Sequence, residues 1–202
     1  MTAEWVLPIA VDETTRPVLR PLPPGAVEVL RAVGAPPRLV AHLRAVHDVA
    51  AQLVAWAAER GLPVDAEAVL FGAATHDIGK ALHPAELSGP GAEHEAAGRD
   101  LLLRHGISPE LAKFAAGHAR WDADTTLDEL LVSLADKVWK GKRVAELEDL
   151  VAARLVAASG REAWEEFLEL DAVLSVVGEG ADERLAYQAG FPVAPVVRAP
   201  QK

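Results

Sequence analysis

The sequence contains no cysteine, one tyrosine and one methionine among its 202 residues. Without cysteine, disulfide scaffolds, thiolate metal sites and cysteine nucleophiles are excluded. No stretch approaches about eighteen apolar residues without a charge, so we expect no membrane-spanning helix. Basic residues are also few: 20 lysines and arginines against 30 acidic residues leave a formal charge of −10, which argues against a protein that coats duplex nucleic acid. The beginning of the chain lacks the pattern of a signal peptide, and we expect a cytoplasmic protein.

Half of the residues are hydrophobic and a quarter are charged, the balance of a packed globular protein rather than of a disordered chain. Proline is concentrated at both ends, whereas the centre is rich in alanine and leucine with helical spacing. We therefore predict an all-α helical bundle over residues 38–187. An extended proline-rich segment is predicted before it, over residues 1–37 with a short helix near 25–33, and an extended tail after it, over residues 188–202.

Helix start and stop signals divide the centre into seven predicted helices. They cover about 38–60, 65–78 and 91–104, begin near 109 and 127, and then cover about 143–158 and 161–177. Thr126 and Glu129 have the spacing of a capping box, and Pro109 lies in a first helical turn, where proline is favoured. Gly79 is predicted to end the second helix in the left-handed conformation that glycine adopts readily.

Four of the seven histidines lie on apolar faces of four different predicted helices: His47, His76, His94 and His118. Asp77 follows the second of them on a helix that is apolar nearly all round. Burying four imidazoles and a carboxylate without partners is unfavourable, and a shared metal ion removes that cost by using their lone pairs. Each histidine alone is also compatible with an ordinary core position. Asp136 lies at the edge of an apolar face, where it could equally be solvated. Three histidines are interpreted as structural or surface residues: His42, His83 and His105.

The segment from Thr75 to Lys80, Thr-His-Asp-Ile-Gly-Lys, resembles the signature block of the HD superfamily of metal-dependent phosphohydrolases. A histidine one helix earlier and an Ala-Asp-Lys segment at 135–137 on a later helix strengthen the resemblance, which covers roughly residues 38–143. The resemblance implies a compact bundle of helices with the metal at its centre.

The resemblance also implies a set of site residues. The first ion would be held by His47, His76, Asp77 and Asp136. His94 and His118 match the additional histidines of dinuclear members, in which Asp77 would bridge both ions. We therefore expect two divalent transition-metal ions per chain, and the nitrogen and oxygen ligands suit manganese, iron, cobalt or zinc equally. Asp77 and Lys80 would be the catalytic residues, with Lys80 on the substrate phosphate.

The reaction implied is hydrolysis of a phosphomonoester, a phosphodiester or a nucleotide phosphate bond. Two cations about 3.5–4 Å apart acidify a water molecule for in-line attack and bind the phosphate oxygens. Lys80 and three further residues are candidates for substrate binding because they are near the ligands in sequence: His83, Arg120 and Lys140. We expect a small phosphorylated substrate, with nucleotides among the candidates, and homo-oligomers remain open.

Two other functions stay open at this point. Some dinuclear HD proteins share all six ligands but hold a mixed-valence di-iron centre and act as oxygenases. The lysine at position 80 favours hydrolysis over that chemistry. A further alternative is a non-catalytic module that keeps the fold and binds a nucleotide.

Overall fold

The computed structural model describes residues 17–193, and every regular element in that range is a helix. The α-helices are α1 (Pro24–Ala32), α2 (Pro37–Glu59), α3 (Ala66–Thr75), α4 (Glu93–Arg104), α5 (Pro109–Gly117), α6 (Leu127–Val138), α7 (Ala145–Ser159), α8 (Ala163–Glu179) and α9 (Ala181–Ala189). Two short 3-10 helices, Ile78–Ala81 and Pro84–Leu87, lie between α3 and α4. The prediction of an all-α fold is confirmed. None of the helices in residues 17–193 is both long and apolar enough to cross a bilayer.

Capping interactions explain where several helices begin. Before α6, the Thr126 side chain accepts from the backbone N of Glu129, and the Glu129 carboxylate accepts from the backbone N of Thr126, which is the predicted capping box. Pro109 occupies the first position of α5. Asp65 caps α3 by accepting a hydrogen bond from the backbone N of Ala68 at 3.0 Å. These contacts satisfy backbone donors that a helix leaves unpaired at its start.

α2 is the central helix of the bundle, and it packs against α3, α6, α8 and α9. Most of its 23 residues are buried, on every side of the helix. The chain before α1 joins the same core through Leu19 and Leu22. The fully buried Arg44 of α2 donates to the carbonyl oxygens of Leu19, at 2.7 Å, and Arg20, at 3.1 Å. Residues from 17 onward therefore pack directly onto the bundle.

The C-terminal part is more helical than the sequence predicted. The last predicted helix extends to Glu179, and α9 follows it as an additional helix whose Ala181 and Tyr187 are buried. α9 packs against α2, and its Arg184 donates to the carbonyl oxygens of Trp139, at 2.8 Å, and Val177, at 2.6 Å. The predicted tail begins inside α9, and residues 1–16 and 194–202 lie outside the described residues.

Gly79 allows a close approach between two segments that carry site residues. Its φ is not positive and α3 already ends at Thr75, so the predicted left-handed helix end was wrong. A Cβ atom at this position would lie 2.0 Å from the carbonyl oxygen of His94 and 2.7 Å from the backbone N of Gly98. Glycine is therefore required, because the first 3-10 helix, Ile78–Ala81, packs directly on the backbone of α4.

Substituting Gly79 with alanine is expected to destabilise the fold. Overpacking costs about 1–3 kcal/mol or more, and each kcal/mol corresponds to roughly 2–4 °C in a protein of this size, so Tm should fall by several degrees. The control is Gly178→Ala in α8, where an added Cβ meets no atom within 4 Å, and which should leave Tm unchanged or raise it. Thermal melting followed by circular dichroism compares the two. Equal Tm values would contradict the close approach.

Candidate metal centre

Six buried polar side chains converge where five helices meet. They are His42 on α2, His76 and Asp77 just after α3, His94 on α4, His118 just after α5, and Asp136 on α6. Each is less than a tenth exposed. A concentration of ionisable groups at this depth requires compensation by hydrogen bonds, by ion pairs or by a bound cation.

The six side chains form two groups that share one carboxylate. Site A consists of His42, His76, Asp77 and Asp136, and site B of Asp77, His94 and His118. In site A, Asp77 Oδ2 lies 3.0 Å from His42 Nε2 and 3.6 Å from His76 Nε2. In site B, Asp77 Oδ1 lies 3.0 Å from His94 Nε2 and 3.4 Å from His118 Nε2. Each oxygen of Asp77 therefore faces its own pair of imidazole nitrogens.

The spacing within each site is that of ligands around one ion. Asp136 Oδ1 lies 3.4 Å from His76 Nε2 and 3.6 Å from His42 Nε2, and the two Nε2 atoms are 3.3 Å apart. Ligand atoms held about 2.1 Å from an ion lie about 3.0 Å apart at right angles and about 3.4 Å apart at the tetrahedral angle. The observed distances are close to these values, and imidazole with carboxylate suits divalent first-row metals.

Two buried atoms of site B have the unpaired lone pairs that a cation would use. Among the described residues, Asp77 Oδ1 and His94 Nε2 are buried without a hydrogen-bond partner, although they lie 3.0 Å from each other. A buried polar atom without a partner costs about 1–3 kcal/mol. A metal ion between the two atoms would satisfy both, so the residues present fit the metal.

Backbone contacts hold two of the imidazole rings in the orientation a metal requires. His76 Nδ1 lies 2.9 Å from the carbonyl oxygen of Ala73, and His118 Nδ1 lies 3.2 Å from that of Ala115. A carbonyl oxygen only accepts, so each Nδ1 carries the proton and donates it. In the neutral ring, the form that binds a metal, the lone pair is then on Nε2, the atom that faces Asp77.

Glu86, on the second 3-10 helix, orients the third ring. Its Oε2 atom contacts His94 Nδ1 and accepts from the backbone N of His94 at 3.3 Å, while Oε1 accepts from the backbone N of Glu93 at 3.2 Å. Gly91 leaves room for this carboxylate, because a Cβ there would lie 2.3 Å from Glu86 Cδ. The sequence interpretation missed Glu86, since no local pattern relates it to a histidine eight residues later.

Removing this carboxylate is expected to weaken metal binding at site B alone. Carboxylates that orient a ligating histidine typically contribute 10–100-fold to metal affinity, and we expect a loss in that range for Glu86→Ala. The matched control is Asp100→Ala, since Asp100 is exposed on α4 and belongs to none of the candidate metal groups of the described residues. Calorimetric titration with Mn²⁺ measures both sites. Unchanged affinity at site B in Glu86→Ala would contradict the orienting role.

The carboxylates of the cluster are strongly acidic. Burial raises the pKa of Asp77, but the charge of His76 and the close contacts with the other imidazoles outweigh it and hold the pKa well below its usual range. Burial also raises the pKa of Asp136. This effect is again outweighed, chiefly by His76, so the pKa of Asp136 lies below its usual range. Both groups are therefore ionised near neutrality, the form in which carboxylates bind metals.

Two lysines contact the carboxylates at the partly exposed edge of the cluster. Lys80 Nζ lies 2.6 Å from Asp77 Oδ2, and Lys137 Nζ lies 2.7 Å from Asp136 Oδ2. Their side chains are 19% and 17% exposed. Lys80 was among the predicted residues, and Lys137 was missed, although it directly follows a predicted ligand.

The other three residues predicted to bind substrate contact neighbours outside the cluster. His83 Nδ1 lies 3.3 Å from Glu93 Oε2, Arg120 Nη2 lies 3.0 Å from Glu95 Oε2, and Lys140 Nζ lies 5.7 Å from the centre of the Trp139 ring. Substrate binding by these residues therefore stays a prediction.

The structure brings His42 into the cluster and leaves His47 outside it. The two lie five residues apart on α2, which rotates them by roughly 140° about the helix axis. Because α2 is buried nearly all round, an apolar position on this helix does not indicate which neighbour a side chain faces. The sequence therefore contained no local signal that separates His42 from His47.

His47 is instead a neutral histidine of the core. Burial lowers the pKa of His47 from 6.5 to about 4; the charge of Asp48 raises it by a smaller amount, and the charges of Arg20 and Arg44 lower it further. Its Nδ1 atom is buried without a hydrogen-bond partner among the described residues. The folded protein therefore takes up a proton at His47 less readily than the unfolded chain does.

This difference predicts a pH dependence of stability. Above pH 6.5 the His47 imidazole is neutral in both the folded and the unfolded protein. Between pH 6.5 and about 4 only the unfolded chain binds a proton at this side chain. Stability falls as the pH is lowered through this window, by up to about 3 kcal/mol. In His47→Leu the fall should be smaller by that amount. Urea denaturation at several pH values, with chelator present so that metal does not contribute, measures it; parallel curves for the two proteins would contradict the prediction.

Residues 40–139 match the family model of the HD domain. This segment contains all six clustered side chains, including His42 near its start and Asp136 near its end. No curated protein and no solved structure shows significant similarity to the chain. HD domains bind divalent metals and are generally metal-dependent phosphohydrolases. Residues 40–139 of this chain are therefore an HD domain.

Proposed function

We propose that this protein hydrolyses a phosphate ester of a small molecule and that it holds two divalent metal ions, one in site A and one in site B. The observation that carries the proposal is the arrangement of Asp77, whose two carboxylate oxygens face separate pairs of imidazole nitrogens at 3.0–3.6 Å. A carboxylate placed in this way is suited to bridge two ions.

A pair of bound ions supplies an acidified water molecule as nucleophile and positive charge for the phosphate oxygens. The chain itself adds the charges of Lys80 and Lys137, which lie beside the two carboxylates at the partly exposed edge. Ammonium groups at this edge can bind phosphoryl oxygens and stabilise the negative charge that develops on them during hydrolysis. The metal ligands and the two lysines therefore both favour hydrolysis of a phosphate ester.

An aromatic side chain beside this edge supports a nucleotide as the substrate. Trp121 is half-buried, and its Nε1 atom donates to the carbonyl oxygen of His118 at 3.1 Å, which fixes the ring next to site B. Lys137 Nζ lies 5.8 Å from the centre of the ring. A tryptophan ring and a lysine this close to each other suit a ligand that carries both a base and a phosphate.

The first experiment is metal analysis followed by an activity screen. Protein purified without oxygen or chelator is expected to contain two ions per chain and to release phosphate from nucleotides or from p-nitrophenyl phosphate. One ion or none would contradict the dinuclear arrangement. If both ions are iron, oxygen consumption without phosphate release would overturn hydrolysis in favour of an oxygenase. Nucleotide binding without turnover would indicate a binding module.

A further inference from the structure

A third group of metal-ligating side chains lies outside sites A and B, where the two 3-10 helices lead into α4. It consists of His83, which precedes the second 3-10 helix, Glu86 within that helix, and Glu93, the first residue of α4. One donor atom from each side chain lies within 4.8 Å of the donor atoms of the other two. His83 Nδ1 is 3.3 Å from Glu93 Oε2. We name this group site C.

The spacing of the donor atoms in site C is compatible with a single ion. Ligand atoms bound at about 2.0–2.4 Å are at most roughly 4.0–4.8 Å apart, when they lie on opposite sides of the ion. The three donor atoms are within this limit as the chain is folded. One imidazole with two carboxylates is also a ligand set that divalent first-row metals accept.

The charges of site C favour a cation for a separate reason. Glu86 and Glu93 contribute two carboxylates, and in residues 17–193 their ion-pair contacts are with imidazoles only, those of His94 and His83. Histidines bind metals in the neutral form. The negative charge of the two carboxylates is therefore balanced by no lysine or arginine of the described chain, and a divalent ion would balance it.

The segment around Glu86 holds its carboxylate in place before any ion binds. The Glu86 side chain is 9% exposed, and its Oε1 atom accepts from the backbone N of Glu93 at 3.2 Å. A Cβ atom at Gly91 would overlap with this oxygen, so glycine leaves the space that the carboxylate occupies. The His83 and Glu93 side chains are 31% and 80% exposed, so water molecules can complete the coordination of an ion.

We propose that site C binds a third divalent metal ion, separate from the ions of sites A and B. Its protein ligands are His83, Glu86 and Glu93. Because the ion is open to solvent and has only three protein ligands, it binds more weakly than ions enclosed in sites A and B and exchanges with free metal. Isolated protein therefore loses this ion, and site C fills only when free metal is present.

Counting bound Mn²⁺ at equilibrium tests site C. The protein is dialysed against increasing concentrations of MnCl₂, and electron paramagnetic resonance measures the free ion on each side of the membrane. Wild-type protein is expected to bind one weakly held ion that His83→Leu and Glu93→Ala bind at least about ten-fold less tightly, since even residues that only orient a ligand contribute 10–100-fold. Unchanged weak binding in either variant would overturn the proposal.

Two exposed residues of the same region provide the controls. Asp100 on α4 and His105 at its end are exposed and belong to none of the candidate metal groups of the described residues, so Asp100→Ala and His105→Leu should bind as many ions as the wild-type protein. Loss of the weak ion in His105→Leu would indicate general binding to surface histidines and would refute site C. Glu86 is unsuitable as the test residue, because it also contacts His94 of site B.

The same titration keeps this proposal separate from the proposed function. It follows the ion that His83→Leu and Glu93→Ala lose, whether sites A and B hold two ions, one or none. Asp77→Ala is expected to lose the enclosed ions and still to bind the weak one, because Asp77 is not a ligand of site C. Circular dichroism verifies that each variant is folded. If Asp77→Ala lost the weak ion as well while remaining folded, that ion would belong to the central cluster and site C would be wrong.

Discussion

Replacing His42 with leucine is expected to remove the ion from site A and to lower turnover more than about 100-fold, whereas the same replacement at His47 should leave metal content and turnover unchanged. Even residues that only orient a ligand contribute about 10–100-fold, and His42 is itself within 3.0–3.6 Å of two carboxylates and another imidazole of the site. His47 belongs to neither site.

The variants His42→Leu and His47→Leu are well matched because both histidines are buried on the same helix. Leucine has a volume similar to that of histidine and cannot bind a metal, so any difference reports the side chain's position. Elemental analysis gives the ions per chain, and phosphate release gives the rate. If His47→Leu lost its metal and His42→Leu kept it, the site would be built differently from the arrangement described above.

Replacing Asp77 with alanine is expected to have the largest effect, with loss of both ions and of more than about 1000-fold in turnover. The reason is that both of its oxygens take part, one in each site. His94→Ala is the informative companion, because His94 belongs to site B alone. It should lose one ion and keep the other.

Metal content of the two variants distinguishes a bridged pair of sites from a single one. Two ions in the wild-type protein, one in His94→Ala and none in Asp77→Ala would fit the bridge. If Asp77→Ala still released phosphate at the wild-type rate, the centre would not be the site of hydrolysis. If His94→Ala kept the metal content and rate of the wild-type protein, His94 would be a core residue and the centre mononuclear. Circular dichroism is expected to show a folded helical protein in each case.

The sequence determined the fold class and the chemical character of the centre without any coordinates. The helical spacing of apolar residues and the capping box at Thr126 are local properties, because they depend on residues within one or two turns. For the same reason the adjacency of His76 and Asp77 at a helix end could be read directly. Inward faces on separate helices also indicated His94 and His118, which the structure brings to Asp77.

Only the tertiary structure decided between His42 and His47, because periodicity reports whether a position is buried and not which neighbour it meets. On a central helix such as α2, which is buried on nearly every side, that information is lost. Gly79 shows the same limit: its role comes from the backbone of α4, a contact between segments. Glu86 likewise reaches His94, eight residues later, through a contact that the fold sets. The sequence thus determined which residue types meet, and the packing of α2, α4 and the 3-10 turn decided which individual residues do.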